Sequence, residues 1–247
     1  MPAGATTGRT TGARRRPLDR VRIVTAAARL IEREGADALT MRRLGTVLRV
    51  DPTAVYRHFR DKDELLRAVG DHLHGQVLVD LPADDGDWRA VVREVCIRLR
   101  ASHLARPHLA ALVRTGPPLQ LHEFRLTELL LRQLRRGGLD DDATVQGYHA
   151  LIELTVGAAA IDAAMAAEPA RTRQAAYAAW RNAYADLDEA EFSESVRLAA
   201  LLYPGTADGR FAFALDRLLD GLAALAPTVR ATVVRGRGRR DPSDPRR

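Results

Sequence analysis

Thr53, Tyr56, Arg57 and His58 crowd one short polar stretch, offering hydrogen bonds, an aromatic ring and positive charge. A helix that enters a DNA groove needs those groups to meet base edges and phosphates. So short a helix buries too little to be stable alone, and its polar face needs a task other than folding.

The surrounding residues, LTMRRLGTVLRVDPTAVYRHFRDKDELL at Leu39 to Leu66, supply the elements that hold that face in place. Thr40 reads as an N-cap, with Met41, Leu44 and Leu48 following at helical spacing. Val50 is an apolar turn residue. Asp51-Pro52 is a cap followed by proline at the first helical position, where its missing N–H costs nothing. Val55 and Phe59 give the short helix a buried side. Asp61 with Glu64 reads as a capping box that opens a further helix, about 63–80, with Leu65, Leu66, Val69 and Leu73 inward. Upstream, Ile23, Val24, Ala27, Leu30 and Ile31 form another inward stripe, which Gly35 ends.

This segment resembles the DNA-binding domain of the TetR/AcrR family of bacterial repressors, above all in PTAVYRHFRDKDELL at Pro52 to Leu66. The specific resemblance runs from Leu18 to Leu73; beyond it only the architecture is similar. The resemblance implies that Thr40 touches a phosphate and that Arg42 reaches a base edge, where arginine suits guanine. It implies base contacts from Pro52, Thr53, Ala54 and Arg57, with Pro52 and Ala54 meeting thymine methyls. Tyr56, His58 and Lys62 match backbone contacts, Lys62 beside a helix N-terminus that already favours phosphate. His58 has a second reading, as a locally satisfied capping or stacking ring. One position departs from the family pattern: Arg49 stands where members usually carry glycine. A left-handed Arg49 costs about 1 kcal/mol. Either the turn takes another shape, or Arg49 gains a phosphate contact that offsets the strain.

The charge is divided along the chain. Residues 1–62 hold 14 Lys/Arg and 6 Asp/Glu, and residues 227–247 hold 7 Arg and 2 Asp. The 164 residues between them hold 17 basic and 24 acidic side chains, so positive field gathers where the motif lies. At 46% hydrophobic but 5% aromatic, the cores are expected to be Leu, Ala and Val packed in helices. Cys96 excludes an internal disulfide and reads as a small buried hydrophobe. No apolar run is expected to span a bilayer and no signal-peptide pattern is present, which points to a cytoplasmic protein without a membrane partner.

The expected fold is all-α: a three-helix helix-turn-helix domain at 18–76, motif about 40–59, joined to a larger helical domain at 77–226. Residues 1–17 and 227–247 are expected to be disordered basic arms, with Arg14, Arg15 and Arg16 placed either to reach a minor groove or only to solubilise. In the last helix Phe211, Leu215, Leu218, Leu222 and Leu225 form a seam that Phe213 and Leu219 widen, and the alanines around Ala159 and Ala163 permit close helix approach. In the family resembled, the corresponding helices form a four-helix bundle with a second copy, so these residues are expected at a homodimer interface, with intrachain packing as the other reading.

Trp88, His103, His122, Tyr148, His149, Glu153 and Trp180 interrupt apolar faces, the mixture an effector pocket requires. Glu153 either anchors a cationic ligand or pairs with an arginine. The histidine spacing is not that of a zinc site, and neither metal nor cofactor is expected. With no nucleophile elbow or phosphate loop, an enzyme is not expected. The expected function is a homodimeric repressor released from a near-palindromic double-stranded operator by a small-molecule effector. The alternative is an effector-independent regulator or architectural protein with a vestigial pocket.

Overall fold

The computed structural model describes residues 17–81, 86–114, 119–203 and 207–226, and every regular element among them is helical. The helices are α1 (Arg20–Glu34), α2 (Met41–Leu48), α3 (Pro52–Tyr56), α4 (Lys62–Val77), α5 (Trp88–Ala105) and α6 (Pro107–Arg114). There follow α7 (Leu121–Arg136), α8 (Asp141–Ala166), α9 (Ala170–Ala185), α10 (Glu189–Leu198) and α11 (Ala207–Leu225). The two basic arms, apart from Pro17, lie outside the described residues.

Local chemistry sets most of the helix starts. Asp19, Thr40, Asp51 and Asp61 each accept a hydrogen bond from an amide in the first turn of the helix that follows. The capping box at Asp61 is half as expected. Asp61 Oδ1 accepts from Glu64 N at 2.7 Å, but the Glu64 carboxylate reaches one residue further back, to Arg60 N at 2.9 Å. That bond, reinforced by Arg20 and Arg60, holds the Glu64 carboxyl below its usual range.

Two apolar cores result. The first gathers Ile23, Ile31, Leu44, Val55, Phe59 and Leu65 from α1–α4 and takes in Leu109 of α6. The second joins Val95, Leu99, Leu130, Leu151, Leu215 and Leu219 from α5, α7, α8 and α11. The helix α4 belongs to both, with Leu65 and Val69 in the first and Val77 in the second. At 1.5 Å per residue it spans about 24 Å, a single rigid rod between the two cores. Cys96 is fully buried, and burial pushes its thiol up to about 11, as a structural cysteine requires.

Exposure along α7 and α8 corrects one sequence expectation. On α7 Phe124 is 53% exposed, because Leu126 and Leu130 define the buried side. In the second half of α8 only Thr155 and Ala159 are buried. The same helix is long and apolar enough to cross a membrane by length and composition, against the expectation that no segment would be. Within this fold α8 packs on α5, α7 and α11, and its Asp162 binds Arg100 at 2.7 Å. Only 17% of its most apolar window is buried inside the chain, so most of that surface is left uncovered by this copy.

Candidate nucleic-acid interface and ligand cavity

Arg49 adopts φ 57° and ψ 47°, so the turn between α2 and α3 keeps its left-handed geometry without glycine. Its amide bonds Thr46 O at 3.2 Å and the amide of Val50 bonds Gly45 O at 2.9 Å, the paired bonds of a Schellman motif. The glycine this turn needs lies instead at Gly45. A Cβ there would sit 3.0 Å from Val50 O and 3.3 Å from the Pro52 Cα, so its absence lets the start of α3 close on α2.

On that frame the polar residues point outward. Arg42, Arg49, Thr53, Tyr56 and Arg57 are exposed, whereas Val55 and Phe59 anchor the short helix from behind. Thr40 caps α2 through a 3.1 Å bond from Arg43 N. The Thr53 hydroxyl donates to Asp51 Oδ1 at 2.6 Å, which fixes its rotamer and leaves its lone pairs outward. That bond, with the Thr53 amide, holds the Asp51 carboxyl below its usual range. Pro52, Ala54, His58 and Lys62 are half-buried, Lys62 in the first turn of α4. Behind them Arg20 packs over the Phe59 ring at 4.1 Å, bonds the His58 carbonyl and pairs with Glu64 at 3.2 Å. This ties α1 to the end of the motif.

A cavity of about 450 Å³ lies at the far end of α4, lined by α4, α5, α6, α7 and α8. Its apolar wall includes Leu99, Leu126, Ile152 and Val156; its polar groups include His74, His103, Glu123, Thr127, Tyr148, His149 and Glu153. Thr127 Oγ1 lies 3.1 Å from Glu123 Oε1 and 3.0 Å from the Tyr148 hydroxyl. Glu123 Oε2 and His74 Nδ1 are buried and have no hydrogen-bond partner among the described residues. Burial lowers the His74 imidazole below its usual range, so the ring is neutral near pH 7.

Residues 23–69 match the family model for bacterial regulatory proteins of the tetR family, and residues 81–226 match the tetracyclin repressor-like C-terminal domain. The chain belongs to the TetR family of bacterial transcriptional regulators. Among its relatives is the HTH-type transcriptional repressor DrrR1 of Streptomyces coeruleorubidus, 29% identical over 83% of this chain and 77% of that protein. The class G tetracycline repressor protein of Vibrio anguillarum is 28% identical over 87% of this chain and 98% of its own length. Among solved structures, Streptomyces coelicolor ActR in complex with actinorhodin superposes with a TM-score of 0.72. That match is 30% identical and covers 85% of this chain and 98% of ActR. The outward-facing motif is thus the DNA-binding element of a transcriptional regulator.

Of the pocket residues expected for this TetR-family regulator, the structure brings together His103, Tyr148, His149 and Glu153. The other three lie elsewhere. Trp88 begins α5, about 22 Å of helix from His103, and its indole packs over Gly137, where a Cβ would be 2.7 Å away. His122 is drawn to Asp71, 2.7 Å from its Nδ1, and faces a separate groove on α4 and α7. Trp180 on α9 packs with Tyr177 and Tyr203, at centroid distances of 5.5 and 4.9 Å. Glu153 is exposed at the cavity rim, paired with no arginine among the described residues.

Sequence reading missed His74, Glu123 and Thr127. The i, i+4 pair Glu123–Thr127 flanks the inward Leu126, a signal that was present but easily read as a solvated face. The expected dimer seam is also divided. Phe211, Leu215 and Leu222 are buried by their own chain, as is Ala159, so they cannot greet a partner directly. Ala163 and Leu218 are half-buried, while Phe213, Leu225 and Ile161 are exposed at 69%, 61% and 81%. The stripe is wide because it has two sides, one for the core.

Proposed function

We propose that this regulator is a homodimeric repressor that leaves a near-palindromic operator when a small molecule fills the 450 Å³ cavity. One observation carries the reading: α4 holds Leu65 and Val69 in the core beneath the DNA-reading face and His74 in the cavity wall. A ligand that displaces His74 therefore displaces the rod on which that face is mounted. Its effect is bounded by its difference in affinity for the two arrangements. The ligand named for ActR supports a pocket of this kind, and the uncovered apolar faces of α8 and α11 support a second copy. Two recognition helices then need half-sites about one helical turn apart, or a multiple of it. Such a repressor acts where the chromosome is, in the cytoplasm.

Selection of binding sites from random duplex DNA tests the reading. The expected product is an inverted repeat, bound with a steep salt dependence. Arg57→Ala should relax base preference, whereas Lys62→Ala should weaken all duplexes alike and lower the salt slope by about 1. Enrichment of no sequence would overturn the proposal.

A further inference from the structure

The chain carries 37 arginines and one lysine, yet among the described residues none of them lines the cavity that His74 and Glu123 share. The other two large hollows are different. One, of about 550 Å³, is lined by Arg100, Arg173 and Arg181, and there Arg100 is already neutralised by Asp162 and Asp208 at 2.7 and 2.6 Å. The other is lined by Arg125 and Arg132. The charged side chains lining the His74 cavity are Glu123 inside and Glu153 at the rim.

The hydrogen-bond directions are as one-sided as the charge. Thr127 has a single hydroxyl proton, and its acceptor is Glu123 Oε1. Tyr148, 3.0 Å from the same Thr127 oxygen, must then donate to it. Both hydroxyl protons are thereby spent inside the wall. What remains for a guest is the Tyr148 lone pairs and Glu123 Oε2, a buried carboxylate oxygen with no partner among the described residues. A buried acceptor of that kind is costly until a donor reaches it. His74, 8% exposed, adds an Nδ1 that has no partner among the described residues and whose tautomer can adapt to the guest.

We propose that this cavity selects a cationic amphiphile, an apolar ring system bearing a protonated amine whose N–H groups bond Glu123 while Glu153 guards the entrance. Leu99, Leu126, Ile152 and Val156 hold the ring body. The inference rests on the reading of this cavity as the effector site and adds the chemical class of the effector.

Three probes of one ring body test it on the full-length protein: 1-pyrenemethylamine, 1-pyrenemethanol and 1-pyrenecarboxylate, titrated by fluorescence at neutral pH. The amine should bind about tenfold or more tighter than the alcohol, and the carboxylate weakest of all. Glu123→Gln, with its melting temperature measured as a folding control, should bring amine and alcohol within about threefold. Equal or tighter binding of the carboxylate, binding of none of the three, or an amine preference untouched by Glu123→Gln overturns the proposal. The wild-type comparison stands even if that variant folds poorly. Displacement of operator DNA is read separately. A carboxylate probe that releases DNA would sink the ligand class and spare the effector reading; an amine that binds through Glu123 without altering DNA affinity would do the reverse.

Discussion

Asp71 on α4 caps α7 from outside: its Oδ1 accepts from the backbone amides of His122 and Glu123, each at 2.9 Å, and its Oδ2 meets the His122 ring at 2.7 Å. The residue at the N-cap position of α7 itself, Gln120, makes no capping bond. Glu123 also lines the 450 Å³ cavity, so one carboxylate ties the cavity wall to the rod beneath the helix-turn-helix.

Removing that carboxylate should loosen both. Asp71 is 8% exposed, and Asp71→Ala strands two amides, which should lower unfolding free energy by about 2–3 kcal/mol. Asp71→Asn keeps an acceptor for the amides and should cost about 1 kcal/mol. Urea denaturation with intact m-values checks this. Asp71→Asn should also bind operator nearly as wild type does but respond less to any ligand that releases it. An unchanged urea midpoint in Asp71→Ala would sink the capping role.

Arg49 and Gly45 make opposite predictions. Arg49 is left-handed and exposed, so Arg49→Gly should stabilise the protein by up to about 0.5 kcal/mol, after allowing for glycine's greater freedom when unfolded. If Arg49 reaches a phosphate, the same variant also loses about one unit of salt slope in DNA binding. Gly45→Ala should destabilise by about 1–3 kcal/mol, because its Cβ meets backbone rather than a movable side chain. Thermal melts of the pair decide the matter, and a less stable Arg49→Gly would mean that the turn draws on the arginine side chain.

What the sequence made legible was local. Asp19, Thr40, Asp51 and Asp61 cap helices through residues two or three positions on, and those bonds can be read from spacing alone. The cavity is assembled by five helices, and nothing in the spacing separates His103, which lines it, from His122, which Asp71 holds outside. The difference is one of rotation about the helix axis and of which partner lies opposite. The same limit applies to α11, where the sequence displays the width of the apolar stripe but not which half faces inward.

The pH dependence of stability should carry the mark of His74. Burial holds its folded value below 6.5, against the opposing pull of Asp71. Below about pH 6.5 the unfolded chain takes up a proton that the folded chain resists, so this part of the stability is present above that pH and fades as pH falls. His72, also lowered mainly by burial, acts in the same window. Glu64 and Asp51 lose their contributions only in a separate, more acidic limb, below their unfolded values of 4.5 and 3.8. Urea midpoints of the wild type should therefore drop as pH falls below about 6.5, and His74→Phe should make that drop shallower, His72 supplying the rest, while leaving the acid limb. An identical drop in the variant would remove His74 from the account.

The two sides of α11 separate folding from assembly. Leu215 is fully buried against the second core, so Leu215→Ala should cost about 2–5 kcal/mol whatever the oligomeric state. Phe213 and, on α8, Ile161 are exposed at 69% and 81% in the single chain, and burying such side chains is worth about 1.5–3 kcal/mol each. Replacing both with glutamate puts like charges opposite one another across a two-fold interface. Sedimentation at micromolar concentration should then show a dimer for the wild type and a monomer for Phe213→Glu/Ile161→Glu, with helical content retained. The monomer should lose the preference for an inverted repeat over an isolated half-site, because that preference arises from linking two recognition helices. A double variant that still sediments as a dimer would mean that the second copy docks elsewhere, and a wild-type monomer would remove the spaced pair of reading heads altogether.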